Sequence, residues 1–167
     1  MTGDLLAFAD WVAESSAKQA GPEVEDPERL WIVFELDGEA YGLPVERVVE
    51  VLRVEEIRHV PQAPEHVRGV TNVRGAILPV VEVRTRLGLG PLEPTSAARI
   101  VRVLAGGRSL GFLVDRVTGL RKVRASQIEP AEVVIAGMDA CLSGVVEGDS
   151  GLLALLDADK VLGTPGS

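Results

Sequence analysis

The sequence predicts an all-β fold with short helices, arranged as two small β-barrel subdomains that arose by tandem duplication. Short β-type runs alternate with turn residues over residues 30–163, which favours small barrels over an open sheet. Residues 42–48 (GLPVERV) recur as residues 111–117 (GFLVDRV), 69 positions later. Residues 77–88 recur as residues 152–163, 75 positions later. Two segments that repeat in the same order at nearly equal offsets indicate a duplication.

The repeat also predicts the domain organisation. One domain covers residues 30–163, with a first subdomain at about 30–89 and a second at about 98–163. Residues 1–29 form an acidic N-terminal extension outside this domain, and residues 164–167 form a tail. Turn and proline signals at residues 90–94 separate the two subdomains.

The extension is predicted to contain a helix over residues 4–18, because its apolar residues recur at helical spacing. Residues 21–28 follow as a linker that is rich in proline and acidic residues. The helix is either a loosely docked terminal helix or a partner-binding helix. In the second case its anchors are Leu5, Leu6, Phe8 and Trp11.

Composition excludes several classes of protein. The net charge of −8 argues against a nucleic-acid binder, which normally carries a basic surface. No window approaches the roughly 18 apolar residues of a membrane span, and no secretory signal is evident. Cys141 is the single cysteine, so an internal disulfide is excluded. We therefore expect a soluble cytoplasmic protein.

In the first half, the dipeptide Asp37-Gly38 between two β-type runs predicts a hairpin. Residues 45–52 are ambiguous, because their valines fit both a strand and a helical turn. Residues 64–68 fit one helical turn that begins with proline. Strands follow at residues 69–73 and 76–83, and then a short helix at residues 85–89.

The second half restates this order, with a hairpin around Gly106-Gly107. It also serves as an internal control, because positions that differ between the copies are not demanded by the shared fold. Asn72, Arg74 and Gly75 correspond to Glu147, Asp149 and Ser150. An arginine and a glycine between two strands suit neither a core nor a strand. Arg74 is therefore predicted to serve a surface function specific to the first half.

The sequence does not assemble a catalytic site. Ser109 lies in a G-x-S-x-G pattern, but β-type residues follow it where a nucleophile elbow needs a helix, and no histidine follows it in the chain. His59 and His66 are the only histidines, and their spacing does not match a zinc site. We predict a non-enzyme without a metal or a cofactor.

Several spaced motifs resemble the CheW family of chemotaxis coupling proteins. They are Phe34-Glu-Leu36, Tyr41-Gly-Leu43, Val48-Val-Glu50-Val51 and residues 61–84 (PQAPEHVRGVTNVRGAILPVVEVR). In the second half, residues 111–117 and 152–157 are also similar to the family. The resemblance covers about residues 30–163. It implies two SH3-like, five-stranded β-barrels packed through a shared apolar core.

The resemblance also implies a function. CheW-family proteins are adaptors that join the cytoplasmic tips of chemoreceptors to the regulatory domain of the histidine kinase CheA, within two-component signalling. The family's receptor-contacting positions fall on Val48, Glu50, Gly69, Arg74 and Gly75, and Asn72 is added to the predicted site because it shares the motif. Both glycines have a second interpretation, in which they only form turns or bulges. The alternative function is a CheW-like protein that does not couple the kinase and binds another partner through its N-terminal helix.

Overall fold

The structure is a computed structural model that describes residues 26–130, 141–148 and 151–162. Strands dominate the described residues, which confirms the predicted all-β class with short helices. The strands are β1 Glu28–Leu36, β2 Glu39–Pro44, β3 Val48–Arg53, β4 Val67–Val73, β5 Ala76–Glu82, β6 Arg99–Ala105, β7 Arg108–Val114, β8 Arg116–Arg124, β9 Ile128–Glu129, β10 Leu142–Gly148 and β11 Gly151–Leu156. The helices are α1 Val83–Arg86 and α2 Ala158–Leu162.

Two short 3-10 turns, Val45–Arg47 and Ala125–Gln127, complete the described elements. The helix predicted at residues 4–18, with Leu5, Leu6, Phe8 and Trp11, lies outside the described residues, and so does the tail at residues 164–167. No helix in the described part of the chain is long and apolar enough to cross a membrane.

The first hairpin forms where the sequence predicts it. Asp37 and Gly38 have φ angles of 54° and 81°, and Leu36 pairs with Glu39 across the turn. Two consecutive residues with positive φ give the twist that joins neighbouring antiparallel strands. Asp and Gly tolerate this conformation better than other residues, so the dipeptide itself indicated the turn.

Three local predictions are refined by the structure. The ambiguous residues 45–52 form a 3-10 turn and then strand β3. Residues 64–68 form a single turn closed by a 2.9 Å bond from Val67 N to Pro64 O, because β4 already begins at Val67. The helix predicted at residues 85–89 lies two residues earlier, at Val83–Arg86, and Gly88 and Gly90 follow with positive φ.

The strands form two sheets, and each sheet takes strands from both halves of the sequence. Sheet 1 has the order β8-β1-β2-β11-β10-β9, and sheet 2 has the order β3-β6-β7-β5-β4. Parallel pairs β2–β11 and β5–β7 join the halves within each sheet. The two repeated units at residues 30–89 and 98–163 are therefore not the two sheets, because each unit places its first hairpin in one sheet and its second in the other.

The strand register confirms the duplication residue by residue. Val80 pairs with Gly111 in sheet 2, and their repeat equivalents Leu155 (80 + 75) and Gly42 (111 − 69) pair in sheet 1. The bulge between Val67 and Gly69 in β4 recurs between Leu142 and Gly144 in β10. The two copies thus exchange equivalent strands with each other.

The core follows from this exchange. A large apolar cluster joins both sheets, with Phe34 and Leu43 from sheet 1 against Val101 and Phe112 from sheet 2. Each sheet also has its own smaller cluster. In sheet 2 this cluster includes Leu78, Val80, Leu92, Ile100 and Leu113. In sheet 1 it includes Trp31, Val123, Val146, Leu153 and Leu155. The shared apolar core implied by the family resemblance is present.

Candidate functional site

The Arg74-Gly75 step is a two-residue turn between β4 and β5. Arg74 and Gly75 have φ angles of 50° and 87°, and the flanking residues Val73 and Ala76 pair with each other. The Asn72 Oδ1 atom accepts a hydrogen bond of 2.9 Å from Gly75 N, which closes the turn. Such a turn prefers Asn, Asp or Gly at its first position. Arginine there is uncommon, so the turn alone does not explain Arg74.

Arg74 belongs to a set of charged residues, Glu50, Arg74 and Arg102, which we call the ion cluster. Arg74 Nη2 lies 2.6 Å from Glu50 Oε2, and Arg102 Nη1 lies 2.9 Å from the same oxygen. Arg102 Nε also donates a hydrogen bond of 2.7 Å to Ser109 Oγ. Two guanidinium groups share one carboxylate, so the cluster keeps a net charge of about +1.

The cluster stays ionised at neutral pH. The hydrogen bond from Arg74 is the largest effect and lowers the pKa of the Glu50 carboxyl; burial opposes it, and the hydrogen bond from Arg102 adds a smaller lowering effect. The same hydrogen bond raises the pKa of Arg74. The Arg74 side chain is 66% exposed, whereas that of Glu50 is 25% exposed. Glu50 therefore orients a guanidinium group that still faces solvent with donors available to a partner.

The ion cluster joins the two ends of sheet 2. Glu50 lies on β3 and Arg74 follows β4, and these are the first and last strands in the order of the sheet. A cleft of about 220 Å³ opens there and is lined by residues of both strands, among them Leu52, Asn72 and Arg74. The two edge strands are thus held together beside a cleft that opens to the surface.

Exposed apolar side chains lie on the strands that carry the ion cluster. Val49 and Val51, on the face of β3 opposite to Glu50, are 40% and 41% exposed. Ile77 is the cross-strand neighbour of Asn72 and is 64% exposed. A surface that combines exposed apolar residues with an oriented cation has the composition of a protein-binding site.

The structure brings together four of the six predicted site residues, namely Glu50, Asn72, Arg74 and Gly75. Val48 is half-buried and packs against the core shared by the sheets. Gly69 lies in the β4 bulge with a φ of 152°, where an added Cβ atom would be 2.1 Å from the Arg58 carbonyl oxygen. Both predicted glycines therefore have a fold function, Gly69 at a bulge and Gly75 at a turn.

Arg102 and Ser109 belong to the site but were not predicted as parts of it. The sequence carried a signal for both, since the repeat aligns Arg102 with Val33 and Ser109 with Ala40 at the offset of 69. The same offset aligns Glu50 with Gly119. All three differ between the copies, as Arg74 does. Ser109 lies in β7 of a hairpin, as expected from the repeat, and accepts a hydrogen bond from Arg102.

Neither histidine is among the residues that contact one another in the ion cluster. His59 is exposed, and burial lowers the pKa of the half-buried His66. Among the described residues, no group of three or more His, Cys, Asp and Glu side chains is arranged to hold a metal ion.

The chain is similar to several known proteins in sequence and in fold. A family model described as "CheW-like domain" matches residues 30–165. The chain is 31% identical to "Chemotaxis protein CheW" of Bacillus subtilis over 84% of this chain and 90% of that protein. It is 32% identical to "Protein FrzA" of Myxococcus xanthus over 83% of this chain and 88% of that protein. A crystal structure of the scaffolding protein TtCheW from Thermoanaerobacter tengcongensis matches with a TM-score of 0.75 and 29% identity, covering 83% of this chain and 95% of that one.

Proposed function

This chain belongs to the CheW family, and from that premise we propose that it is a non-catalytic scaffold that joins chemoreceptors to the histidine kinase CheA in chemotaxis or motility signalling. The observation that supports this most is that the family match extends over both sheets and includes the whole ion cluster. The exposed guanidinium of Arg74 beside apolar residues suits recognition of another protein.

We assign receptor recognition to the surface around the ion cluster. Arg74 donates hydrogen bonds to carboxylate or carbonyl oxygens of the receptor tip, and Glu50 holds the arginine in place. Asn72 and Gly75 set the shape of the turn that carries it. Val48 and Gly69 act through the core and the β4 bulge rather than by direct contact. An α-helical tip that presents an acidic residue among apolar ones fits this surface.

The proposed partners also define where the protein works. A scaffold for receptor tips and the regulatory domain of CheA operates in the cytoplasm, where receptor arrays recruit it. The alternative, a CheW-like protein that binds a different partner through its N-terminal helix, is not favoured, because relatives covered over most of their length are named chemotaxis proteins.

The test reconstitutes the assembly from the full chain, a receptor-tip fragment and CheA. Arg74→Ala is expected to weaken receptor-tip binding by about tenfold or more, as truncation of a central arginine at an interface often does. Its binding to CheA alone and its melting temperature should stay close to those of the wild type. Arg108→Ala is the matched control, because Arg108 is an exposed arginine of sheet 2 at the start of β7.

Two results would contradict the proposal. Normal receptor binding by Arg74→Ala would remove this surface from the receptor site. An equal loss in Arg108→Ala would show that general positive charge, rather than the ion cluster, governs binding. Failure of the wild-type chain to bring receptor and CheA together would contradict the scaffold function itself.

A further inference from the structure

Sheet 1 carries an open groove lined by both apolar and polar residues, which we call the β8 groove. Its volume is about 400 Å³, and its lining includes the apolar residues Val33, Ala40, Leu120, Leu152 and Leu153 and the charged residues Glu35 and Arg121. Leu120 is 62% exposed and Leu152 is 44% exposed. Two large aliphatic side chains this exposed beside one groove indicate a surface that is covered by something else.

The β8 groove is the repeat equivalent of the region beside the ion cluster in sheet 2. Leu120 corresponds to Val51 (51 + 69) and Leu152 to Ile77 (77 + 75). Glu50, however, is replaced by Gly119 and Arg102 by Val33, so the charged centre is absent from this copy. What the two regions share is an exposed aliphatic pair, which is available for apolar contacts in the β8 groove.

Strand β8, which forms one side of the β8 groove, is rich in basic residues. Strand β8 has the sequence RVTGLRKVR, with four basic residues and no acidic one. Two acidic residues of the neighbouring β1 face it: Glu28, whose carboxylate lies 3.9 Å from Arg124, and Glu35, which is opposite Arg116. With these two carboxylates counted, β8 and the acids that face it keep a net positive charge, which favours an occupant that is both apolar and acidic.

Residues 1–25 of the same chain have this composition. They contain five acidic residues and one lysine, a net charge of −4, opposite in sign to the net +2 of β8 together with the two carboxylates that face it. The helix predicted from the sequence at residues 4–18 carries the apolar residues Leu5, Leu6, Phe8 and Trp11. An acidic segment with an apolar face therefore precedes a basic strand beside a groove that exposes two leucines.

The described chain starts next to the end of β8. The Asp26 carboxylate accepts hydrogen bonds of 2.8 Å from both Ser126 N and Ser126 Oγ, and these bonds lower its pKa. Pro27 O accepts a 2.9 Å bond from Ala125 N. The preceding segment is therefore tethered where β8 ends.

The distances allow this segment to reach the groove. Leu120 lies six residues before Ser126, which is about 20 Å along a strand. Residues 19–25, which connect the predicted helix to Asp26, span up to about 25 Å when extended. A 15-residue helix is about 22 Å long, comparable to the strands it would cover.

We propose that residues 4–18 dock in cis on the β8 groove. Leu5, Phe8 and Trp11 of this segment would contact Leu120 and Leu152, and the acidic residues of the segment would face the arginines of β8. The segment then covers part of sheet 1, while the ion cluster of sheet 2 stays accessible. This inference does not depend on the receptor-binding function proposed above.

Fluorescence of Trp11 in the full chain tests the docking. Trp11 and Trp31 are the only tryptophans, and Trp31 is buried, so a Trp11→Phe variant supplies the background signal. We expect Trp11 to be protected from acrylamide quenching in the wild type. Leu120→Glu should raise the quenching constant several-fold and shift the emission to longer wavelength. Arg121→Glu should do the same to a smaller extent, and high salt should weaken the protection.

Val51→Glu is the matched control, because Val51 is the exposed repeat equivalent of Leu120 on the other sheet. It should leave Trp11 protected. Equal quenching of Trp11 in the wild type and in Leu120→Glu would overturn the proposal. Protection that disappears on dilution would assign the groove to a second copy, and protection that arises only with receptor or CheA would assign it to a partner. Either result also overturns docking in cis.

Discussion

Substitution of Gly69 by alanine tests whether a predicted receptor-contact residue acts through the fold. An added Cβ atom at position 69 would lie 2.1 Å from the Arg58 carbonyl oxygen and 2.8 Å from the Arg58 carbonyl carbon. Both are backbone atoms, so no side-chain rotation relieves the overlap. The segment that contains Arg58 must move away from β4 by more than an ångström.

That movement removes a defined set of interactions. Arg58 N donates to Val70 O at 2.7 Å, and Val70 N donates to Arg58 O at 2.9 Å. Each lost hydrogen bond costs about 1 kcal/mol, and more if a group stays buried without a partner. A φ of 152° adds strain of about 1–3 kcal/mol for alanine. We therefore expect Gly69→Ala to lower the free energy of unfolding by about 3–5 kcal/mol, or the melting temperature by roughly 10 °C.

Gly75→Ala is the comparison within the same predicted site. Its φ of 87° is unfavourable for alanine, but an added Cβ atom would meet nothing within 4 Å. The expected loss is therefore about 1–2 kcal/mol, from backbone strain alone. Gly144→Ala tests the repeat, because the Cβ atom would lie 2.9 Å from Glu129 O and should also destabilise strongly.

Thermal and urea unfolding of the three variants measures these differences, and receptor-tip binding is measured below each melting temperature. A Gly69→Ala protein that melts like the wild type but fails to bind the tip would refute the reasoning. Gly69 would then be a contact residue rather than a residue of the bulge.

Three further predictions concern the ion cluster and the buried thiol. The pKa of the Glu50 carboxyl is lowered in the folded state. Its stabilising contribution is therefore complete above the unfolded pKa near 4.5 and is lost as the pH falls through the folded pKa. Glu50→Gln should show a flatter dependence of the free energy of unfolding on pH in this acidic range. Arg102→Val introduces the residue found at the equivalent position 33 of the first hairpin. It should lower the free energy of unfolding in urea by only about 1 kcal/mol yet weaken receptor-tip binding, and Ser109→Ala should have a smaller effect on both. Unchanged receptor-tip binding by Arg102→Val would remove Arg102 from the site. Burial raises the pKa of the Cys141 thiol, so alkylation of the native protein should be slower than that of the unfolded chain by on the order of 100-fold, and a native rate near the unfolded one would show that Cys141 is accessible.

The sequence was sufficient wherever a short-range rule decided the structure. Asp37-Gly38 predicted a hairpin because both residues tolerate positive φ, and the repeat predicted the second hairpin. The exchange of strands between the two copies was not predictable in this way. The pairs β2–β11 and β5–β7 connect residues far apart in the chain, and apolar patterning does not specify which distant strand is the neighbour.

The site shows the same limit. Arg74 was predicted because its repeat equivalent is Asp149, which marks it as unnecessary for the fold. Arg102 also differs between the copies, but it lies within a run of β-type residues that reads as an ordinary strand. Only the structure shows that it lies 2.9 Å from Glu50. The charge pairing of β3 with β6 is a tertiary contact between residues 52 positions apart.

The two copies differ in the charged residues near their exposed aliphatic pairs, and this difference gives one duplicated fold two different surfaces. Both keep an exposed aliphatic pair, Val51 and Ile77 in one and Leu120 and Leu152 in the other. One copy adds Glu50, which binds both Arg74 and Arg102, whereas the other has Gly119 and Val33 in place of Glu50 and Arg102. A single apolar contact surface discriminates weakly between partners, because most apolar faces satisfy it. An oriented cation rejects a partner that leaves it unpaired, so the charged copy is the one suited to a specific partner, and the apolar copy is suited to an occupant delivered by the chain itself.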